Sequence, residues 1–229
     1  MQYVLILLFA GYLLGSINTA LAVSKIRYGE DIRTKGSGNA GLTNALRTYG
    51  KGAAVMVLLG DVAKAIVAGL LGMLVHNFIM SPGFAGYVLG GQDFVNAYKS
   101  VAEAGLNPAA MSACFGAVLG HNWPLYFHFK GGKGVLVSAV TVFVLSWKIG
   151  LIVILLFVVI VATTRYVSLG SIAAAVCYPV CILVSKLAGW QYGNWWYFGF
   201  AVILAGMLIY GHRANISRLV AGNENKLHF

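Results

Sequence analysis

Residues 36–47 combine glycines with short polar side chains and end in an arginine. Glycine lets the backbone approach a ligand closely and turn its N–H groups outward, which is how proteins build anion-binding nests. The guanidinium of Arg47 can offer a phosphate two parallel hydrogen bonds. The spacing predicts a phosphate-binding loop, but a flexible polar loop carrying ordinary cytoplasmic charge fits it equally well. The neutral hydrogen-bonding side chains of this loop belong to Ser37, Asn39, Thr43 and Asn44.

A second glycine-rich segment, Lys130-Gly131-Gly132-Lys133-Gly134, stands directly before an apolar stretch. A helix beginning there would direct its positive N-terminal end and an exposed glycine backbone toward an anion, with two ammonium groups alongside. The segment is not a Walker A sequence, because that motif has a fixed spacing and a Ser or Thr after its lysine. We predict a second phosphate loop, with a glycine-rich return into the membrane as the alternative.

Asp61 and Lys64 are charged residues inside an otherwise apolar segment. Their spacing of three residues places them on one face of a helix. An ionisable pair at that depth is costly unless it faces the protein interior. We interpret it as a structural salt bridge beneath the site rather than as reacting groups.

Further polar residues stand at the ends of the last two apolar segments. One group is Arg165, Ser168 and Ser171; the other is His212, Arg213, Asn215 and Arg218, followed by Gly222 and Glu224.

The composition decides which class of fold positions these residues. Of 229 residues, 59% are hydrophobic and 10% are charged, with a formal net charge of +10 and a mean hydropathy of +0.81. Ordinary soluble domains do not show such values. The positive charge is expected in cytoplasmic loops, and no nucleic-acid motif accompanies it. The three cysteines, Cys114, Cys177 and Cys181, lack metal-type spacing and are predicted to be buried small hydrophobes.

The apolar segments predict an all-α polytopic membrane protein with seven transmembrane helices, forming a single integral-membrane domain over residues 1–229. A polar break at residues 146–150 separates the fourth segment from the fifth. The first segment carries its basic residues after the apolar run, as a retained helix does rather than a signal peptide. The segments are 3–25, 53–75, 109–127, 134–147, 149–163, 168–187 and 195–211.

Lysines and arginines predict the orientation, with the N-terminus outside and the C-terminus in the cytoplasm. The outer side would hold Lys99, Lys148 and Lys186. The inner side would hold Lys25, Arg27, Arg33, Lys35, Arg47, Lys51, Lys130, Lys133, Arg165, Arg213, Arg218 and Lys226.

One long outer connection is expected at about residues 76–107. Apolar residues recur at helical spacing over 94–104, which fits an interfacial amphipathic helix. An unstructured loop fits as well. The chain shows no internal repeat of the kind that transporters carry.

These segments together resemble the acyl-phosphate:glycerol-3-phosphate acyltransferase family, integral-membrane enzymes of bacteria. Four motifs in this order on one predicted membrane side make the resemblance specific. Two departures stand out: Leu136-Val137 replaces the family's usual Ala-Thr, which puts a hydroxyl contact there in doubt, and the outer loop at 76–107 is longer. The matching residues are Gly15-Ser16-Ile17, Gly36 to Asn39, Thr43-Asn44, Gly120-His121, Lys130 to Val135, Arg165 to Leu169, His212-Arg213, Asn215, Arg218-Leu219, Gly222 and Glu224.

The resemblance implies a seven-helix fold and transfer of a fatty acyl group from acyl phosphate to the 1-hydroxyl of glycerol 3-phosphate. The expected products are 1-acyl-glycerol 3-phosphate and phosphate, formed at the cytoplasmic face of the bacterial inner membrane. The expected partners are the two substrates and the lipid bilayer, without metal, cofactor or nucleic acid. A membrane anion or phosphate transporter is the alternative function.

The resemblance also assigns roles by position. The expected catalytic residues are Ser37, Arg47, His212 and Asn215. The expected substrate-binding residues are Gly36, Gly38, Asn39, Thr43, Asn44, Lys130, Gly131, Gly132, Lys133, Gly134, Arg165 and Ser168, with Asp61, Lys64, His121 and Glu224 as structural residues near the site.

Acyl phosphate is a mixed anhydride with a good leaving group, so the reaction needs no strong protein nucleophile. Cationic groups and N–H donors must neutralise the phosphates and hold the glycerol hydroxyl in line. The acyltransferase signature of a His followed five residues later by Asp is absent. His212 is the best candidate for proton transfer, while a purely hydrogen-bonding role for it, or a substrate phosphate as the base, remain open.

Overall fold

The computed structural model describes residues 2–80, 96, 99, 107–190 and 194–227, and the regular elements in these ranges are all helical. Short 3₁₀ turns occur at Ile32–Thr34 and Leu125–Phe127. The α-helices are α1 (Gln2–Ser16), α2 (Thr19–Tyr28), α3 (Leu42–Tyr49), α4 (Lys51–Met80), α5 (Pro108–Asn122), α6 (Val135–Leu145), α7 (Trp147–Thr164), α8 (Val167–Leu187), α9 (Trp195–Gly211) and α10 (Arg213–Val220).

The chain forms two compact units, residues 1–141 and residues 142–229. In the first unit, α5 packs along both α1 and α4. In the second unit, α8 packs against α7 and α9. The prediction of one integral-membrane domain stays a prediction.

The first apolar segment, predicted at 3–25, is a candidate membrane span at Tyr3–Tyr28, but its helix is not continuous. It breaks between α1 and α2, where Asn18 leaves helical geometry and its side chain accepts a hydrogen bond from the Leu21 N–H at 3.1 Å. This is the side-chain cap that starts a new helix. The break exposes backbone carbonyls inside the first unit, and these take part in the site described below.

Two other predicted bounds change. The second segment, predicted at 53–75, is the 30-residue helix α4, which continues to Met80. The third, predicted to reach residue 127, ends at Asn122, because Pro124 cannot continue a helix and the 3₁₀ turn follows it. The fourth and fifth segments are separate helices as predicted, but the break is Ser146 alone, since Trp147 already begins α7.

Four apolar helical segments in the described ranges are long enough to cross a membrane, with α1 and α2 together counting as the first: Tyr3–Tyr28, Lys51–Ile79, Trp147–Thr164 and Val167–Leu187. Helices α9 and α10 make a fifth if they count as one span bent by 61°. The described part of the chain is therefore helical with four to five candidate spans, and seven crossings remain a prediction. The predicted interfacial helix at 94–104 lies outside the described residues, apart from Asn96 and Lys99.

Candidate functional site

The first glycine-rich loop is shaped from within by Asn44. This side chain is 1% exposed. Its Oδ1 accepts a hydrogen bond from the Ser37 N–H at 2.9 Å, and its Nδ2 donates to the carbonyls of Ile32 at 3.2 Å and Lys35 at 3.0 Å. Gly36 has φ 55°, which glycine adopts without strain. The Asn44 amide thus holds the loop in shape, and it was predicted instead to contact substrate.

The exposed surface of this loop carries the residues predicted to act on substrate. Ser37 is exposed between Gly36 and Gly38, whose φ is 71°. Arg47 is exposed on α3, one turn after Thr43 on the same helix face. Asn39 is half-buried where the loop returns to the protein.

The second glycine-rich loop folds back on the end of α5. The Gly131 N–H donates to the Asn122 carbonyl at 3.1 Å, and the Gly132 N–H donates to the His121 carbonyl at 3.0 Å. These two N–H groups donate inside the protein, so they are not the exposed donors that were predicted, and substrate binding by Gly131 and Gly132 stays a prediction. Gly134 has φ 75° and is followed directly by α6. Lys130, Lys133 and the first turn of α6 are left as the anion-attracting groups of this loop.

The two loops touch each other at Gly132. A Cβ placed on Gly132 would meet the Ala40 carbonyl oxygen of the first loop at 2.7 Å and would overlap the His121 imidazole. Asn18, at the α1–α2 break, donates from Nδ2 to the same Ala40 carbonyl at 3.4 Å. Both glycine-rich loops therefore lie at one end of the first unit.

A buried ionic cluster lies beneath Gly132. Lys64 Nζ is 2.8 Å from Asp61 Oδ1, which confirms the predicted salt bridge. It also lies 3.0 Å from His121 Nδ1 and donates to the Ile17 carbonyl at 3.1 Å and the Gly15 carbonyl at 3.3 Å. The cluster joins α4, α5 and the α1–α2 break.

Arg33 joins the two loops and was missed as a site residue from the sequence, where it counted only as a cytoplasmic charge. Its Nη1 donates to the Phe127 carbonyl at 3.0 Å and to the Lys130 carbonyl at 2.9 Å. Its Nη2 is 2.6 Å from Asp31 Oδ2. The only sequence signal is an acidic residue two positions before an arginine, next to the glycine-rich segment.

The Arg33 hydrogen bonds lower the pKa of Asp31 below its ordinary value, although partial burial raises it. A lowered carboxyl pKa means that the pair contributes stability above the ordinary value of about 4 and loses it as the pH falls through the lower folded value. The pair consequently stays charged across the neutral range.

In the second unit, His212 stands at the junction of α9 and α10, and its Nδ1 donates to the Leu208 carbonyl at 2.7 Å. Since a carbonyl only accepts, this bond fixes the proton on Nδ1. Glu224 accepts from Asn215 Nδ2 through Oε1 and from Arg218 Nε through Oε2, both at 2.8 Å. The carboxylate thus holds Asn215 and Arg218 in fixed orientations, which agrees with a structural role for Glu224.

Arg165 and Ser168 stand at the turn between α7 and α8. Arg165 has φ 62°, and its carbonyl accepts the Leu227 N–H at 2.8 Å, so the C-terminal segment returns to this turn. Lys226 Nζ lies 5.4 Å from the centroid of the Tyr166 ring, within cation–π distance. Ser168 is buried in the first turn of α8.

Among the described residues, no group of three or more His, Cys, Asp and Glu side chains is arranged to hold a metal ion. The side chains of the two glycine-rich loops are cationic or neutral.

Comparison with known proteins gives consistent matches over nearly the whole chain. A family model described as glycerol-3-phosphate acyltransferase matches residues 5–222. A glycerol-3-phosphate acyltransferase of Clostridioides difficile (strain 630) is 39% identical over 227 residues, covering 99% of this chain and 96% of the relative. One from Shouchella clausii (strain KSM-K16) is 38% identical over 219 residues, covering 95% and 92%.

Two crystal structures share the fold. One is described as PlsY, an integral membrane glycerol 3-phosphate acyltransferase, in the glycerol 3-phosphate form. It is 31% identical with a TM-score of 0.74, covering 98% of this chain and 96% of the other. The second, in the lysophosphatidic acid form, is 29% identical with a TM-score of 0.71, covering 98% and 95%.

Proposed function

The chain belongs to the glycerol-3-phosphate acyltransferase family, and on that premise we propose that it transfers a fatty acyl group from acyl phosphate to the 1-hydroxyl of glycerol 3-phosphate. The products are 1-acyl-glycerol 3-phosphate and phosphate, which serve phospholipid synthesis. The reaction takes place at the cytoplasmic face of the bacterial inner membrane. No cofactor or metal takes part.

The observation that supports this proposal most is the contact between the two glycine-rich loops at Gly132 and Ala40. Both substrates carry a phosphate, so the site needs cationic and neutral donors that face one place. Arg47, Lys130 and Lys133 provide the positive charge. Ser37 and the first turn of α6 provide neutral donors.

The chemical step forms a bond between the glycerol 1-hydroxyl oxygen and the acyl carbon, and it breaks the bond from that carbon to the phosphate oxygen. Negative charge grows on the acyl oxygen and on the departing phosphate. In our proposal the planar guanidinium group of Arg47 stabilises that charge by donating two hydrogen bonds, and Ser37 positions the reacting groups. Lys133 and the α6 N-terminus hold the dianionic phosphate of glycerol 3-phosphate.

His212 and Asn215 keep their catalytic roles as a proposal. His212, whose Nδ1 donates to the Leu208 carbonyl, takes part in this proposal through proton transfer or through a hydrogen bond to substrate. A phosphate oxygen of a substrate is the alternative base. Glu224 acts through Asn215 by orienting its amide, and Arg165 and Ser168 remain substrate-binding residues in this account. Asn44 is reassigned to shaping the first loop.

The transporter alternative gains no support, because the matched relatives are acyltransferases by description. The deciding experiment supplies the purified protein with acyl phosphate and glycerol 3-phosphate and measures both products. Acyl-CoA with the same acyl chain is the control donor. We expect equal amounts of 1-acyl-glycerol 3-phosphate and phosphate from acyl phosphate and none from acyl-CoA.

Turnover with acyl-CoA alone would contradict the donor assignment, while the family's acceptor would stand. An inactive preparation that binds glycerol 3-phosphate and moves it across sealed vesicles would contradict acyl transfer and favour transport.

A further inference from the structure

One guanidinium group links the segments that carry the two glycine-rich loops. Arg33 follows the start of the 3₁₀ turn that leads into the first loop. Its Nη1 donates at 3.0 Å to the carbonyl of Phe127, just before the second loop, and at 2.9 Å to that of Lys130, the first residue of the loop. Planar geometry allows one guanidinium to satisfy both carbonyls at once, which an ammonium on a flexible stem does less well.

Asp31 fixes the orientation of this guanidinium. Its Oδ1 accepts from the Arg33 backbone N–H and from Nε, both at 2.9 Å, while Oδ2 accepts from Nη2 at 2.6 Å. The carboxylate is thus both the cap of the 3₁₀ turn and the partner of the fork. Charge-assisted bidentate pairs of this kind are the stronger hydrogen bonds in proteins.

We propose that Arg33, oriented by Asp31, is a positioning residue that holds the two phosphate-binding loops at the separation the reaction requires. The inference rests on the proposed function for its kinetic consequences. Acyl transfer between two bound phosphates depends on their relative placement, and an ångström of misplacement costs much of the rate. We call Arg33 and Asp31 together the clamp. Because the clamp sets this placement before the substrates bind, the loops need less conformational ordering in each turnover.

The geometry argues against Arg33 as a direct phosphate ligand. Its Nε, Nη1 and Nη2 already donate to protein oxygens, and the Asp31 carboxylate neutralises its charge. The Arg33 side chain is also only 22% exposed. A phosphate-binding arginine would instead direct unused donors toward the ligand.

The kinetic test compares Arg33→Ala, Arg33→Lys and Asp31→Asn with the unchanged protein, varying each substrate separately. We expect kcat/KM for both substrates to fall roughly 10- to 100-fold in each variant, the factor that charge-assisted hydrogen bonds are worth. Lysine should not rescue, because charge without the fork cannot bridge two carbonyls. The double variant Asp31→Asn/Arg33→Ala should be no worse than Arg33→Ala alone, since both substitutions break the same contact.

Arg27→Ala is the matched control. Arg27 lies at the end of α2, and its Nη1 contacts Met56 Sδ at 3.7 Å rather than either loop. The control removes the same charge from the same region and should leave kcat/KM within about twofold. Rescue by Arg33→Lys, or an equal loss in Arg27→Ala, would show that charge rather than the clamp matters and would overturn the proposal. Full activity in Asp31→Asn would overturn it as well.

A distance measurement tests the clamp without any substrate. Spin labels at Thr34→Cys and Tyr126→Cys, both exposed positions, report the separation of the two segments once the native cysteines are replaced by alanine. We expect one narrow distance with Arg33 present and a broad distribution in Arg33→Ala. Identical distributions would refute the clamp. If the distances behave as expected but the unchanged protein transfers no acyl group, the proposed function fails and the clamp stands.

Discussion

Arg47 and Asn44 show how one short helix serves two purposes. They lie three residues apart on α3, but Asn44 faces inward and is buried, whereas Arg47 is exposed. The buried amide fixes the loop that presents Ser37, and the guanidinium is exposed on the same short helix. The positions most suited to contact substrate are therefore Ser37 and Arg47, with Asn44 acting through the backbone.

Arg47→Ala is expected to lower kcat by about 100-fold or more with little change in KM, because a group that stabilises transition-state charge acts mainly on kcat. Arg47→Lys should rescue poorly, since a point charge does not replace a planar fork. Steady-state kinetics with each substrate varied separately would measure this. If the KM values for acyl phosphate and glycerol 3-phosphate both rose and kcat were preserved, Arg47 would instead bind the phosphates of both substrates in one shared site.

At the residue scale, the sequence predicts contacts between residues that are close in the chain and misses contacts between residues that are far apart in it. Asp61 and Lys64 are three residues apart, so helix geometry alone predicts their pairing, and the structure confirms it. His121 joins them from another helix, which no spacing reveals. Arg33 is missed because its carbonyl partners are more than 90 residues away in the chain.

Helices α1 and α5 owe their close contact to glycines at matching intervals. Gly11 and Gly15 of α1 face the backbone of Ala113 and Ala117, and a Cβ on Gly15 would lie 2.7 Å from Ala117 Cα. Gly116, on α5, faces the α1 backbone in the same way. Small residues four apart allow helix backbones in membranes to approach closely. This packing fixes α5, whose end carries His121 beneath the second loop.

Gly116→Ala is expected to lower the thermal unfolding midpoint in detergent by several degrees. The added methyl would lie 2.7 Å from the Tyr12 backbone nitrogen, and overpacking of this kind costs about 1–3 kcal/mol. Gly199→Ala, in α9, is the matched control, because no atom lies within 4 Å of its added methyl. An unfolding midpoint for Gly116→Ala equal to that of the control would contradict the packing.

The seven apolar segments and the helix that follows the second loop are evident from the sequence, because long hydrophobic runs have few alternatives. The break between α1 and α2 is not. Ser16-Ile17-Asn18 contains neither glycine nor proline, and the interruption is stabilised by the Asn18 cap and by Lys64, which donates to the Gly15 and Ile17 carbonyls. Asn18 is a local signal for a helix start, but the contribution of the distant Lys64 leaves none.

Orientation in the membrane is a property of the whole molecule. The division of lysines and arginines predicts a cytoplasmic C-terminus and cytoplasmic glycine-rich loops. In intact cells, Asn225→Cys should therefore resist an impermeant maleimide, whereas Lys148→Cys, predicted to face outward, should react. Reaction of Asn225→Cys from outside would reverse the assigned topology.

We propose above all that the second glycine-rich loop, where it adjoins the first, binds the phosphate of glycerol 3-phosphate. Two substitutions of glycine by alanine test it, because the loops are in contact at Gly132, whereas Gly52, in α4, has no atom within 4 Å of an added methyl. The methyl of Gly132→Ala would press on the Ala40 carbonyl and on His121 and force the loops apart.

The decisive measurement is equilibrium binding of radiolabelled glycerol 3-phosphate to the purified protein without acyl donor, with inorganic phosphate and glycerol as competitors. We predict saturable binding that phosphate displaces and glycerol does not. Gly132→Ala should weaken it at least about tenfold, equivalent to roughly 1.4 kcal/mol, and Gly52→Ala should leave it unchanged. Unaltered binding in a folded Gly132→Ala protein would contradict the account.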